Sequence, residues 1–317
     1  MTSGRPTVSF VVTVYNKATW LPQVLDAIAA QQGDFARQCV FVDDGSTDDS
    51  LAMLRARAAG WPDTIIVAQA NAGPSKASNA GLARASGDYV KFVDGDDVLA
   101  PDATQHLLAV ARRHDADLAF GAGGHYDLGQ APAPSPAAPQ RENADQAVPD
   151  PLGFVLTSPP CNLSQVLVRR DACLSAGGFD ERIFVQDYPF LLRLAEKHRF
   201  ARSTATVCYF PRQQGGRLTD DHANMLFHAN LTVWLFCREH DLPLERMRLA
   251  ASRCIGRAWL FAKRHRGAGL FSPVYRAFAK DRLFPAGDRD TALARMRATF
   301  DAFGDRPQRR YREMLEG

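Results

Sequence analysis

The sequence of 317 residues has no long uninterrupted hydrophobic stretch. No segment approaches the roughly 20 consecutive apolar residues that a membrane-spanning helix needs, and residues 1–6 lack the apolar segment of a signal peptide. We therefore expect a cytoplasmic protein. The composition, 46% hydrophobic and 23% charged, is typical of a soluble globular protein that is long enough to bury a substantial core.

Cysteine is scarce and widely spaced. The six cysteines are Cys39, Cys161, Cys173, Cys208, Cys237 and Cys254. They form no C-x-x-C pair, which favours reduced, mostly buried thiols over a zinc site or disulfides. The sequence also lacks the G-x-G-x-x-G motif of dinucleotide-binding folds and shows no internal repeat.

Acidic residues are few at the C-terminal end. From residue 241 to residue 317 there are 17 Lys and Arg against 9 Asp and Glu, whereas the whole chain carries a net charge of only +3. One interpretation is a surface for anionic lipid or for a phosphate-bearing acceptor. The other is a helical tail with a solvated basic face, and the sequence leaves both open.

Hydrophobic runs alternate with amphipathic segments over the first 115 residues. We predict strands at 8–14, 39–42, 64–68 and 89–93, and helices at 19–31, 47–59 and 75–85 and from Pro101. This alternation predicts an α/β fold with a doubly wound, mostly parallel sheet. Later segments predict strands at 116–126 and 204–210, a helix at 187–198 and helices from residue 222 onward. The predicted core residues of these last helices are Leu226, Leu231, Trp234, Leu235, Trp259, Leu260 and Phe261.

These patterns suggest two domains. Residues 1–220 are predicted to form the α/β domain, and residues 221–317 a basic helical extension. The Pro/Ala-rich segment 130–151 is predicted to be a flexible surface loop over the site.

One acidic turn stands out. Asp94, Asp96 and Asp97 follow the predicted fourth strand, and ligands bind at the carboxyl ends of strands in open α/β sheets. Three carboxylates within four residues repel one another unless a cation or solvent screens them. Oxygen ligands on a tight turn suit Mg²⁺ or Mn²⁺ holding a diphosphate, although Asp and Gly are also ordinary residues of solvated turns.

Five segments in order resemble the signatures of family 2 glycosyltransferases, which invert the anomeric centre and have the GT-A fold. They are residues 11–17 (VVTVYNK), 42–48 (VDDGSTD), 71–73 with 79–81 (NAG twice), 92–97 (FVDGDD), and 177–180 (GGFD) with Asp187. The resemblance covers residues 7–220. Five ordered motifs are far more specific than any one of them alone.

The resemblance implies a nucleotide-diphospho-sugar donor, with UDP as the expected nucleotide. It implies that Thr13 and Tyr15 line the base pocket and that Asp44 binds the base or ribose. Asp94 and Asp96 would hold Mn²⁺ or Mg²⁺, with Asp96 as the direct ligand. Further donor contacts are implied for Asn16, Asn71, Lys76, Asp94, Arg212 and Arg217.

The resemblance also implies that Asp187 is the general base. In the family this residue is the Asp of a Glu-Asp pair, whereas this chain has Gln186-Asp187, so we expect a pKa less raised than in relatives. The other interpretation of Asp187 is the N-cap of a helix. The histidine that often follows the last strand is replaced by Gln214, and His222 is a candidate substitute.

The sequence therefore predicts an inverting glycosyltransferase that adds one sugar to a glycan or lipid-linked acceptor in bacterial cell-surface glycan synthesis. The Q-x-x-R-W motif of processive synthases is absent. The alternatives are a catalytically degenerate nucleotide-sugar-binding module and, less favoured, a sugar-nucleotide pyrophosphorylase. We expect no nucleic acid partner. Residues 259–261 followed by 263–266 could form a peripheral membrane contact, although a helix with an apolar core face fits the same periodicity.

Overall fold

The computed structural model describes residues 4–130, 145–157, 161–212 and 221–304, together with Tyr311 and Leu315. The chain divides into two compact units. The first comprises residues 1–151 and 160–214, and the second comprises residues 152–159 and 215–317.

The first unit is built on one mixed sheet. Its strands are β1 (Thr7–Val14), β2 (Ala36–Asp43), β3 (Thr64–Ala68), β4 (Tyr89–Asp94), β5 (Val98–Leu99), β6 (Leu118–Tyr126), β7 (Gln146–Val148), β8 (Val166–Arg169) and β9 (Phe200–Pro211). The strand order is β3-β2-β1-β4-β8-β6-β9-β5, with β7 on β9. The strands β3, β2, β1 and β4 are mutually parallel, and β8 is antiparallel to both of its neighbours.

The helices connect these strands in the first unit and make up the second unit. In the first unit they are α1 (Leu21–Ala29), α2 (Ser50–Arg57), α3 (Pro74–Arg84), α4 (Ala103–Arg113), α6 (Arg170–Ser175) and α7 (Asp187–Lys197). In the second they are α5 (Pro151–Thr157), α8 (His222–Glu239), α9 (Leu244–His265), α10 (Pro273–Leu283) and α11 (Arg289–Arg297).

The central strands form because their apolar runs are buried on both faces. Six of the eight β1 residues are fully or almost fully buried, and α1 packs its buried residues Leu21, Val24, Leu25 and Ile28 into the same core. A parallel strand covered on both faces reads as a continuous hydrophobic run rather than an alternating one. The predicted α/β class with a mostly parallel central sheet is confirmed.

Several predicted boundaries differ from the structure. Thr47 does not start α2, which begins at Ser50, because the Thr47 backbone N–H instead donates to Asn16 Oδ1 at 2.8 Å. The α4 helix begins at Ala103 rather than at Pro101, and the two-residue strand β5 precedes it.

The end of the predicted loop 130–151 is contradicted by the structure. Residues 146–148 form β7 on the edge strand β9, and α5 begins at Pro151. Residues 131–144, with the Pro/Ala-rich run, lie outside the described residues.

In the second unit, the prediction that Leu260 is a core residue is wrong. Of the predicted core residues, Leu231, Trp234, Leu235, Trp259 and Phe261 are buried, Leu226 is half-buried, and Leu260 is 50% exposed. All six cysteines are free, and five of them are buried. No helix within the described ranges has the length and apolar character that spanning a bilayer requires.

Candidate active site

The predicted site residues converge at the carboxyl ends of four parallel strands. Strand pairing places Thr13 of β1 opposite Asp94 of β4, and Val14 opposite Asp43 of β2. The segments that follow these strands, 15–17, 44–47, 69–76 and 95–97, therefore emerge on the same edge of the sheet. This is the edge where an open α/β sheet binds ligands.

The acidic turn packs closely against β1. The Asp97 N–H donates to the Asp94 carbonyl at 2.9 Å, and the Gly95 N–H donates to the Thr13 carbonyl at 3.0 Å. A Cβ atom at Gly95 would lie 2.9 Å from that Thr13 oxygen, so a side chain there would push the turn away from β1. The Tyr126 hydroxyl donates to the Asp96 carbonyl at 2.8 Å and holds the turn from the other side.

The side chain of Asp96 forms an ion pair with Lys17. Lys17 Nζ lies 2.6 Å from Asp96 Oδ2, and the two side chains are only 27% and 13% exposed. The same ammonium group lies 5.1 Å from the centre of the Trp20 ring. Lys17 therefore supplies a positive charge to the acidic turn from the end of β1.

Asp94 lies in the middle of the negative charge. Burial, with the nearby carboxylates of Asp96 and Asp187, raises its pKa well above the ordinary aspartate value, and Lys17 only partly offsets this. Gln186 Nε2 lies 3.4 Å from Asp94 Oδ1. A half-buried carboxyl group with a raised pKa beside like charges is frequent at functional sites.

Asp187 is the first residue of α7, next to this cluster. Burial raises its pKa to about 6, opposed by hydrogen bonds from backbone N–H groups, including that of Tyr188 to Oδ1 at 2.8 Å. The alternative of an N-cap role is wrong, because the N-cap position is Gln186 and Asp187 follows it. Asp187 therefore combines a helix N-terminus, burial and proximity to Asp94.

A buried lysine lies beneath the turn. Lys91 of β4 is fully buried, and its ammonium group donates to the carbonyls of Ser164 and Val166, the latter at 3.2 Å. Burial lowers its pKa to about 8, partly offset by nearby acidic groups that include Asp97 and Asp94. Ser164 also accepts a hydrogen bond from the Asp94 N–H through its hydroxyl at 3.0 Å.

Asp44 organises the loop that follows β3. Its carboxylate accepts hydrogen bonds from Gln69 Nε2 at 2.7 Å, from the Ala72 N–H at 2.9 Å and from the Gly73 N–H at 2.9 Å. It is almost fully buried. With three of its roughly four acceptor positions taken, Asp44 has room for about one further donor.

The other predicted donor residues fall into two groups by exposure. Asn16 is half-buried, and its side chain accepts from Thr47, which links the ends of β1 and β2. Thr13 is also half-buried. Tyr15 is 46% exposed, and Asn71 and Lys76 are exposed at the same edge. Exposed side chains beside a rigid acidic turn are accessible to a ligand.

The residues predicted after the last strand are less informative. Arg212 is exposed, and its Nε lies 3.8 Å from Asp127 Oδ2. Gln214 and Arg217 lie outside the described residues. His222 begins α8 in the second unit, where its ring packs against that of His265.

Three neighbours of the acids were not singled out from the sequence. Lys17 belongs to a motif that was recognised, but its ion pair with Asp96 was not foreseen. Gln186 was noted only as a departure from Glu, yet it contacts Asp94 and accepts a hydrogen bond from Ser78 Oγ at 2.9 Å. Nothing in the sequence indicated that Ser164 contacts Asp94, because a serine in a short apolar segment is ordinary.

The arrangement is chemically suited to a hard divalent cation. Asp94 and Asp96 offer carboxylate oxygens, and the excess negative charge around Asp94 is what a cation would neutralise. No group of three His, Cys, Asp or Glu side chains among the described residues is arranged to hold a metal by itself. The two aspartates therefore fit a cation that takes its remaining ligands from phosphate oxygens and water, as Mg²⁺ commonly does.

The fold is that of GT-A glycosyltransferases. The chain aligns with S. aureus TarS in complex with UDP-GlcNAc at a TM-score of 0.61 and 18% identity, covering 98% of this chain and 86% of that one. It aligns with the mannosyltransferase PcManGT from Pyrobaculum calidifontis, in complex with GDP-Man and Mn²⁺, at a TM-score of 0.64 and 18% identity, covering 96% and 88%.

Residues 9–156 match the family described as Glycosyl transferase family 2. The succinoglycan biosynthesis protein ExoO of Rhizobium meliloti (strain 1021) is 33% identical over 117 residues, which are 36% of this chain and 32% of ExoO. The chain thus spans about a third of the length of the curated relatives that it matches first. Its residues 9–156 are therefore similar to family 2 glycosyltransferases, as the sequence motifs predicted, and the predicted fold is confirmed.

Proposed function

We propose that this protein transfers a sugar from a nucleotide-diphosphate donor to an acceptor hydroxyl with inversion at the anomeric carbon. The observation that carries the proposal is the meeting of three carboxylates at the carboxyl edge of the sheet. The pKa of Asp94 is raised by both Asp96 and Asp187, so a group suited to a cation and a group suited to be a base lie within electrostatic reach of each other.

The donor would bind across the ends of β1 to β4. Asp94 and Asp96 would hold Mn²⁺ or Mg²⁺, which when bound would neutralise charge on the leaving diphosphate. Thr13 and the exposed ring of Tyr15 would contact the base. Asp44 would accept a hydrogen bond from the base or ribose with its remaining acceptor position. The UDP-GlcNAc of the TarS complex supports a UDP-sugar, and the GDP-Man and Mn²⁺ of the PcManGT complex support a metal-bound donor.

The cationic side chains at this edge would act on the same diphosphate. Lys17 forms an ion pair with Asp96, so a phosphate oxygen near that carboxylate would lie within reach of the Lys17 ammonium group. Asn16, Asn71, Lys76, Arg212 and Arg217 would provide the further donor contacts. Positioning and electrostatic stabilisation of this kind supply most of the rate enhancement when a phosphate ester departs.

Asp187 would take the proton of the acceptor hydroxyl. As that oxygen forms its bond to the anomeric carbon, the bond between this carbon and the diphosphate oxygen breaks, and the nucleoside diphosphate leaves with the electron pair. A carboxylate with a pKa of about 6 is mostly ionised at pH 7 and more basic than an ordinary aspartate. It therefore suits general base catalysis.

The acceptor would be a glycan or a lipid-linked sugar of the bacterial cell surface. The name of ExoO, a succinoglycan biosynthesis protein, supports a role in polysaccharide assembly. A lipid-linked acceptor would place the reaction in the cytoplasm at the inner face of the membrane.

The test is release of nucleoside diphosphate from a panel of UDP- and GDP-sugars with Mn²⁺ and a panel of glycan and lipid-linked acceptors, using Asp187→Asn. We expect the variant to lose at least about a hundredfold in turnover, because it cannot accept a proton, while still binding the donor. Asp171→Asn is the matched control, since Asp171 is an exposed acidic residue in the first turn of another helix, α6. Equal turnover by Asp187→Asn and the unaltered chain would contradict the proposal. Donor binding without turnover by the unaltered chain would favour a degenerate binding module.

A further inference from the structure

The most exposed large apolar side chains of the described residues flank a single helix. Leu270 and Phe271 precede α10 and are 62% and 93% exposed, and Leu283 and Phe284 at its other end are 73% and 67% exposed. Single exposed apolar residues are ordinary on protein surfaces. Four of them at the two ends of one 11-residue helix indicate an interaction surface.

The α10 helix has an inner and an outer face. Tyr275 and Phe278 lie on the inner face, where their ring centres are 4.9 Å and 6.2 Å from that of the buried Trp259. Arg276, Lys280 and Leu283 are exposed and follow one another at spacings of four and three residues, which puts them on one stripe on the opposite side. The exposed apolar ends are thus joined by a basic stripe.

The surroundings of this helix carry mostly positive charge. Residues 257–284 contain seven Lys and Arg and a single acidic residue, Asp281. Asp281 does not face solvent, because its side chain is 7% exposed and pairs with Arg295 at 3.1 Å. An approaching partner therefore meets cations and apolar groups together.

We propose that this surface, formed by Leu270, Phe271, Arg276, Lys280, Leu283 and Phe284, binds the face of a bilayer that contains anionic lipid. Phe and Leu side chains would enter the boundary between headgroups and acyl chains, and Arg276 and Lys280 would stay at the level of the lipid phosphates. The mixture of apolar and cationic groups is complementary to an anionic interface. A second copy of the same face is disfavoured, because a two-fold contact would bring the basic stripes together.

This surface differs from the one that the sequence suggested. Trp259 and Phe261 are buried at 9% and 7% exposure and hold α9 in the core of the second unit. They cannot insert into a membrane without unfolding that core. The apolar residues available to lipid come instead from the two ends of α10.

The test is co-sedimentation of the full chain with phosphatidylcholine vesicles, with and without about 30 mole per cent phosphatidylglycerol. We expect binding only with the anionic lipid. The double variant Phe271→Ser, Phe284→Ser should weaken vesicle binding about tenfold or more, because the apolar side chains no longer insert. The double variant Arg276→Glu, Lys280→Glu should weaken it by a similar factor, because the charge facing the anionic lipid is reversed. Leu174→Ser and Arg55→Glu, at exposed positions of the first unit, should bind as the unaltered chain does.

The same experiment can overturn the proposal in several ways. No vesicle binding by the unaltered chain would rule out lipid as the partner, and equal binding by all variants would show that lipid binds elsewhere on the chain. A dimer of the unaltered chain that dissociates in the phenylalanine double variant, measured by light scattering, would identify the surface as a contact between copies. Because the assay contains no nucleotide-sugar, none of these outcomes depends on the activity of the donor site.

Discussion

At the scale of single residues, the Lys17–Asp96 ion pair is the contact most relevant to cation binding. It occupies one oxygen of the carboxylate that is proposed as the direct metal ligand, at a distance of 2.6 Å. An ammonium group and a divalent cation compete for the same oxygen, so metal binding alone has to displace or rearrange Lys17. Lys17 is the last residue of the recognised motif 11–17, but nothing in the sequence indicated this competition.

Lys17→Met should therefore bind Mn²⁺ more tightly than the unaltered chain. Removing one nearby positive charge is expected to lower the dissociation constant about fivefold to tenfold, or about 1 to 1.4 kcal/mol. The measurement is the fraction of free Mn²⁺ by electron paramagnetic resonance, without nucleotide. Lys197→Met, at an exposed position in the last turn of α7, serves as control. An unchanged Mn²⁺ affinity in Lys17→Met would contradict the competition.

The second prediction for a single residue concerns Asp187 and the pH dependence of turnover. Its pKa of about 6 in the folded chain comes from burial, and the acidic groups that it faces include Asp94 and the thiol of Cys161, both of whose pKa values it raises. Only the ionised carboxylate can accept a proton, so turnover should fall as the pH drops through about 6 and level off above about 7. The measurement is kcat/KM between about pH 4.5 and pH 8. A constant kcat/KM between pH 5 and pH 7 would show that a group other than Asp187 accepts the proton.

At the scale of helices and strands, the sequence predicted what depends on long local patterns. The strands β1 to β4 and the helices α1, α3 and α7 were found because their buried residues follow one another in the chain at the expected spacing. The short strands β5 and β7 were missed. They have two and three residues, and both exist because β9 pairs with them, so the information lies in a partner more than 50 residues away.

The candidate site shows the same division. The location of Tyr15, Asp44 and Asp94 at one edge could be predicted, because each follows the end of a predicted strand and the strands were predicted to be parallel. The hydrogen bond from Ser78 of α3 to Gln186, and the contact from Gln186 to Asp94, depend on how separate helices pack beside the sheet. No local sequence pattern encodes such packing. The sequence therefore showed Gln186 only as a replacement of the family's glutamate and not as a contact of Asp94.

Two glycines in helices give a matched prediction on packing. A Cβ atom at Gly81 of α3 would overlap Val11 Cγ1, whereas one at Gly256 of α9 would meet no atom of the described residues outside its own helix within 4 Å. Gly81→Ala should destabilise the chain by about 1 to 3 kcal/mol because the helix must move off the sheet. Gly256→Ala should stabilise it by about 0.5 to 1 kcal/mol through helix propensity. The thermal unfolding midpoint followed by circular dichroism measures both, and a stabilised Gly81→Ala would show that α3 is not closely packed.

At the scale of the whole molecule, the charge asymmetry of the sequence corresponds to two surfaces with different chemistry. The first unit brings Asp94, Asp96 and Asp187 together at one edge of the sheet, and the second presents basic and apolar groups along α10. The sequence predicted the excess of basic residues, but it left open whether residues 259–261 contact a membrane or face the core. Trp259 and Phe261 are buried, which favours the core, and the proposed membrane surface lies at the ends of α10 instead. Only tertiary packing decides which aromatic residues remain exposed.

The most direct test of the central claim, a metal-dependent nucleotide-diphosphate site on Asp94 and Asp96, is calorimetric binding of UDP with and without Mn²⁺. We expect the unaltered chain to bind UDP at least tenfold more tightly with Mn²⁺ and Asp96→Asn to lose most of this gain, because a neutral amide is a weaker ligand for a hard cation. Asp102→Asn, just before α4 and exposed, should behave as the unaltered chain. UDP binding that is equal with and without Mn²⁺, or unaffected in Asp96→Asn, would contradict the claim.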